Sequence, residues 1–137
     1  LEVKPGPNDS VLVDDAYNSN PKGFTSALET LDLLVREGGR RIVVTPGMVE
    51  LGADHDEEHT RLGKIAAEHA DVVLAIAPER MKTFVSAYQE AAGEREELHT
   101  FPGFAEADIW LQENTKAGDV VLLENDLPDL YERKLPI

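Results

Sequence analysis

Within 137 residues, the absence of cysteine excludes disulfides and thiolate metal sites, and a net charge of −14 disfavours a phosphate-backbone partner, so no nucleic acid is expected. Hydrophobic residues at 42% beside charged residues at 29% supply a real core, which excludes disorder and fits a single domain over residues 1–137. No apolar run approaches the ~20 residues of a bilayer-spanning helix, and Leu1-Glu2-Val3-Lys4-Pro5 lacks a signal-peptide pattern, so a cytoplasmic fragment of a longer protein, with no membrane partner, is expected.

In chain order, Val11–Val13 is a short apolar strand that ends on Asp14-Asp15. Asn20-Pro21 predicts a helix cap followed by proline in the first turn, and Phe24, Leu28, Leu31 and Val35 continue at helical spacing until Gly38-Gly39. Arg41–Thr45 is the second strand, followed by a loop from Pro46 to about Asp54. Leu62, Ile65, Ala66 and His69 mark one face of a second helix. Asp71–Ala77 is almost continuously apolar, as in a strand covered on both faces. A third helix follows Pro78, with Met81, Phe84, Val85 and Tyr88 on one face and Gly93 at its end. Leu98–Phe101 is a weaker strand, Phe104, Ala107 and Leu111 predict a fourth helix, and Asp119–Leu123 is the last strand.

Strands alternating with helices predict βαβ units. The expected fold is α/β, a Rossmann-like three-layer sandwich with a mainly parallel sheet flanked by helices. Ligands of such sheets bind beyond the carboxyl ends of the strands, here Asp14–Asn20, Thr45–Gly52 and Glu124–Asp129. Carboxylates at a strand end can accept hydrogen bonds from ribose hydroxyls, and asparagine amides suit a purine edge or a peptide. The plainer alternative is that these residues only build turns and caps.

Other signals are weaker. His55-Asp56-Glu57-Glu58-His59 has two histidines at helical spacing, but its second position is aspartate and no third ligand stands out, so a solvated acidic first turn is expected and no metal site. Trp110 neighbours Leu111 and reads as packing, and Lys22, Lys64 and Lys82 read as surface residues, with Lys22 able to reach an anion at the strand end. No G-x-x-x-x-G-K-[ST] segment is present, so the chain has no phosphate-gripping loop of its own.

Asp14-Asp15-Ala16-Tyr17-Asn18-Ser19-Asn20-Pro21 closely resembles the D-D-x-Y-N-A-N-P segment that opens the C-terminal domain of Mur ligases of the MurF branch. Arg40-Arg41-Ile42-Val43-Val44-Thr45-Pro46-Gly47-Met48-Val49-Glu50-Leu51-Gly52 is similar to their R-x-I-x-V-L-G-D-M-x-E-L-G, and His59, Leu62 and Gly63 match their H-x-x-L/V-G helix. The resemblance runs in order from about residue 1 to residue 124. It implies the last domain of an ATP-dependent amide ligase of peptidoglycan precursor synthesis, a domain that closes over ATP and binds the incoming amino acid or dipeptide. ATP and Mg2+ would be held mainly by a middle domain, and a UDP-linked muramoyl peptide by a first one. The other domains of the parent chain are thus the implied partners. By the same resemblance Asp15, or Asp14, would contact the ribose, while Tyr17, Asn18 and Asn20 would line the nucleotide side. His59 and Asn125 are candidates for the substrate side, His59 with a structural role as its alternative. No residue is assigned to catalysis, and the isolated domain is expected to be inactive.

Two departures bear on the amine substrate. The family's L-G-D-M is Thr45-Pro46-Gly47-Met48 here, and where the family carries K-G-S-R near the last strand this chain has Glu124-Asn125-Asp126-Leu127-Pro128-Asp129. An acidic loop in place of a cationic one leaves the amine unidentified. Two other classes remain beside the ligase: a non-catalytic interaction domain derived from one, and a degenerate receiver-like signalling domain. The second shares paired acids after a first strand, but a receiver needs an aspartate at the end of Asp71–Ala77 and a lysine after the last strand.

Overall fold

The computed structural model describes residues 1–15, 20–48 and 52–124. The expected alternation is present: β2 (Val11–Asp15), α1 (Pro21–Leu34), β3 (Arg41–Thr45), α2 (His55–His69), β4 (Val72–Ile76), α3 (Lys82–Ala92), β5 (Leu98–Phe101), α4 (Phe104–Asn114) and β6 (Val120–Glu124). One strand went unforeseen, β1 (Glu2–Pro5). It is mostly exposed and ends on proline, which a sheet tolerates at its edge. Met81 also departs from expectation. It precedes α3 after a 3-10 turn over Pro78–Arg80, yet it is fully buried.

The sheet order is β1-β2-β6-β3-β4-β5. β1 pairs antiparallel with β2, and every other pairing is parallel. The chain steps outward from β2 to β5 through α1, α2 and α3, then returns through α4 to β6 in the middle. Right-handed crossovers then require the first three helices on one face and α4 on the other. Accordingly Phe24, Leu62 and Phe84 pack with Val13, Val43 and Leu122 in one core. Phe104, Ala107 and Leu111 pack with Val44, Leu74 and Leu123 in the second. All five residues of β4 and of β6 are buried, as strands covered on both sides must be.

The two sheet edges differ in character. At the amino ends of the strands, Arg41 binds Asp71 through Nε at 3.1 Å and Asp32 through Nη1 at 2.6 Å, and His69 Nδ1 lies 2.7 Å from Asp32. Asp119 accepts from the Arg40 backbone and guanidinium at 2.8 and 3.0 Å. These contacts lock α1, β3, α2, β4 and β6 together at one end. The carboxyl ends carry the candidate site.

Candidate functional site

β2 ends on Asp14 and Asp15. Lys4 of β1 reaches Asp14 at 3.2 Å and Glu2 at the same distance. Asp15 points into the protein at 7% exposure, and its register partner on β6 is Glu124. The α-amino group of Leu1 lies 3.6 Å from Asp15. Glu124 has no exposed surface, and among the described residues neither of its carboxyl oxygens has a hydrogen-bond partner. Burial, then the neighbouring Asp15, pushes its pKa up to about 11. Two ionised carboxylates offer no donor to each other. A proton on Glu124 supplies one, which reconciles the missing partner with the closeness of Asp15.

Beyond Asp15, Asn20 caps α1 as expected. Its side-chain oxygen accepts from the Lys22 amide at 2.8 Å and more weakly from Gly23 at 3.4 Å, meeting donors that the helix leaves unpaired. Tyr17, Asn18 and Asn125 lie outside the described residues.

The loop after β3 is held from below by one histidine. Thr45 Oγ1 accepts from the Gly47 amide at 3.0 Å, and the Met48 amide donates to His59 Nε2 at 3.0 Å. The other ring nitrogen of His59, Nδ1, lies 2.8 Å from the His55 carbonyl. A carbonyl only accepts, so Nδ1 carries the proton and the ring is neutral. Burial is the main cause that holds the His59 pKa below the ordinary histidine value. Gly47 has φ +81° and abuts the ring, so that a Cβ there would stand 2.9 Å from Nε2. His59 has no exposed surface. Of the two sequence-based roles for His59, this geometry describes the structural one, a support under the Gly47–Met48 backbone.

The same contacts bear on the zinc-like spacing. His55 and His59 stack with centroids 4.1 Å apart, His55 Nε2 lies 3.1 Å from the Arg80 carbonyl, and both His59 nitrogens are taken. The described residues contain no group of three His, Cys, Asp or Glu side chains able to hold a metal. A receiver-type phosphate site is not assembled either, since β4 ends on Ile76 with Ala77 beyond it. Ala77 itself sits in the left-handed region at φ +49°, a conformation that costs an alanine about 1–2 kcal/mol.

The structure thus gathers Asp14, Asp15, Asn20, Thr45–Met48 and Glu124 at the carboxyl edge, with His59 beneath it. Glu124 is the functional candidate that sequence reasoning treated only as the start of a loop. Its partnership with Asp15 depends on β2 and β6 being neighbours, and no local pattern encodes that.

The family model described as Mur ligase, glutamate ligase domain, matches residues 1–124. The UDP-N-acetylmuramoyl-tripeptide–D-alanyl-D-alanine ligase of Escherichia coli (strain K12) is 36% identical over 67 residues, which are 48% of this chain and 14% of that protein. Only a small part of the curated relative is therefore spanned. Among solved structures, the MurF ligase of Thermotoga maritima in complex with ADP aligns with TM-score 0.72 and 25% identity, covering 96% of this chain and 28% of that one. MurF from Acinetobacter baumannii aligns with TM-score 0.65 and 24% identity over 97% of this chain and 28% of its own, a likeness of fold. With matching motifs, matching topology and a family model that covers nearly its whole length, the chain belongs to the Mur ligase family, as a C-terminal domain of the MurF type.

Proposed function

We propose that this chain is the closing domain of an ATP-dependent amide ligase of peptidoglycan precursor synthesis, and that its carboxyl edge meets ATP and the incoming amine. In that reaction a substrate carboxylate attacks the terminal phosphate of ATP, giving an acyl phosphate and ADP. The amine then displaces phosphate and leaves an amide. The observation that carries the reading is the gathering of Asp14, Asp15 and the capped start of α1 at one strand edge, in a domain that superposes on a MurF ligase holding ADP. Asp15, or Asp14, would accept from a ribose hydroxyl, and Tyr17, Asn18 and Asn20 would line the nucleotide side. Asn125 would face the amine, with His59 acting through the Gly47–Met48 backbone. The identity of the amine is left open by the acidic Glu124-Asn125-Asp126.

The donor set fits the sugar of the nucleotide and not its phosphates. Carboxylates repel phosphate, and the chain has no glycine-rich phosphate loop. Magnesium and the triphosphate are therefore assigned to the rest of the longer enzyme, and the chain alone is expected to be inactive. The test is Asp15→Ala in that enzyme. Losing a hydrogen bond to a charged group costs about 1.5–3 kcal/mol, so the KM for ATP should rise roughly tenfold to a hundredfold. Unchanged ATP kinetics with a lowered melting temperature would make Asp15 a turn residue and end the nucleotide assignment.

A further inference from the structure

The end of β6 holds a side chain that the proposed reading does not use. Glu124 is completely buried, neither of its oxygens has a hydrogen-bond partner among the described residues, and Asp15 stands beside it on the next strand at 7% exposure. An ionised carboxylate in that position would have no donor among the described residues to replace water. A second carboxylate alongside makes joint ionisation costlier still. The remaining arrangement is a pair that shares one proton.

We propose that Glu124 stays protonated and donates its proton to Asp15, so that the pair carries a single negative charge and Glu124 acts as the positioning residue for Asp15. The functional half of this rests on the reading of Asp15 as the nucleotide-side acceptor. One Asp15 oxygen is then engaged from within the sheet, which fixes the direction of the carboxylate. The charged groups around the pair agree. From β2 comes Asp15 itself, which favours a proton on Glu124. Just ahead of β1, the nitrogen of Leu1 lies 3.6 Å from Asp15 and opposes that proton where it is a free amine. Lys4 is engaged by Asp14 and Glu2. On β3, Thr45 follows the residue paired with Leu123 and brings no charge. Burial dominates these influences and holds the proton in place far above neutral pH.

The test is carbon-detected NMR of side-chain carboxyls in this chain from about pH 5 to about pH 9, a window above the ordinary glutamate value of about 4.3. The Glu124 resonance is assigned by its loss in Glu124→Gln. It should keep the chemical shift of a protonated acid across the window. Glutamine retains a neutral donor, so Glu124→Gln should fold and escape the proton cost. Its folding constant relative to the parent should rise about tenfold per pH unit over that window. Glu124→Lys, which would set a cation against Asp15, should fold as well and likewise lose the parent's pH dependence. A Glu124 resonance at the ionised shift across the window, or parallel pH profiles for parent and glutamine variant, overturns the shared proton. Failure of the nucleotide reading gives a different signature, an unchanged KM for ATP in Asp15→Ala, with Glu124 still protonated in the spectrum.

Discussion

His59 illustrates how one side chain can set a loop through its tautomer alone. Its Nε2 accepts from the Met48 amide only while the ring is neutral. A second proton on the ring would turn that acceptor into a donor facing a donor. Since burial lowers its pKa in the folded protein, the unfolded chain binds the proton first as pH falls. The stabilising contribution of His59 is therefore complete above about pH 6.5 and is lost as pH drops through the folded value, at up to about 1.4 kcal/mol per unit. His59→Leu should abolish that dependence. At neutral pH it should cost about 1–3 kcal/mol for a stranded amide. Chemical unfolding at pH values on either side of 6.5 checks both effects, and a parallel pair of curves for parent and variant would count against the role. The sequence made His59 legible as a helix residue in a family motif, but the donor it serves comes from a loop eleven positions earlier. Asp15 and Asn20 were legible for a different reason: strand-end acids and helix caps are local features. Glu124 was not, because its environment is made by a strand from the other end of the chain.

At the level of elements, strands β2 to β6 and all four helices could be read from apolar spacing because each buries a regular face. β1 could not. Its burial is slight and its five-residue neighbourhood mixes charge with proline, so only pairing with β2 makes it a strand. The helical Gly63 shows the same dependence on partners. A Cβ there would run into the Phe84 carbonyl oxygen and stand 2.9 Å from the Ala87 Cβ, so the glycine of the H-x-x-L/V-G pattern is what lets α2 and α3 approach. Gly63→Ala would gain about 1 kcal/mol of helix propensity. Overpacking costs about 1–3 kcal/mol, and contact with rigid backbone places this site at the upper end. A net loss of about 1–2 kcal/mol is expected, read as a lowered urea midpoint with an unchanged slope. An unchanged or raised midpoint would show that the helices can part freely.

For the whole molecule the charge distribution matters more than its sum. The amino edge of the sheet is closed by ion pairs that join Arg41 to Asp32 and Asp71, and Arg40 to Asp119. Burial raises the cost of ionising Asp71 and Asp119, yet bonds from Arg41 and Arg40 outweigh it and keep both below the usual carboxylate value. With a net charge of −14, the remaining acids repel one another through solvent, an effect that salt screens over a Debye length of about 10 Å at 0.1 M. Thermal stability should therefore rise from low to moderate ionic strength. A fall would mean that the ion pairs of the amino edge outweigh the general repulsion. The direction of β1 adds a mechanical point. It runs antiparallel to β2 with Glu2 opposite Asp14, so Leu1 lies at the rim where β6 also ends. Anything joined ahead of Leu1 would start at that rim, beside the Asp15 carboxylate. A tag or fluorophore attached there would crowd Asp15, whereas the exposed turn at Gly38, on the far edge, would carry a reporter clear of the site.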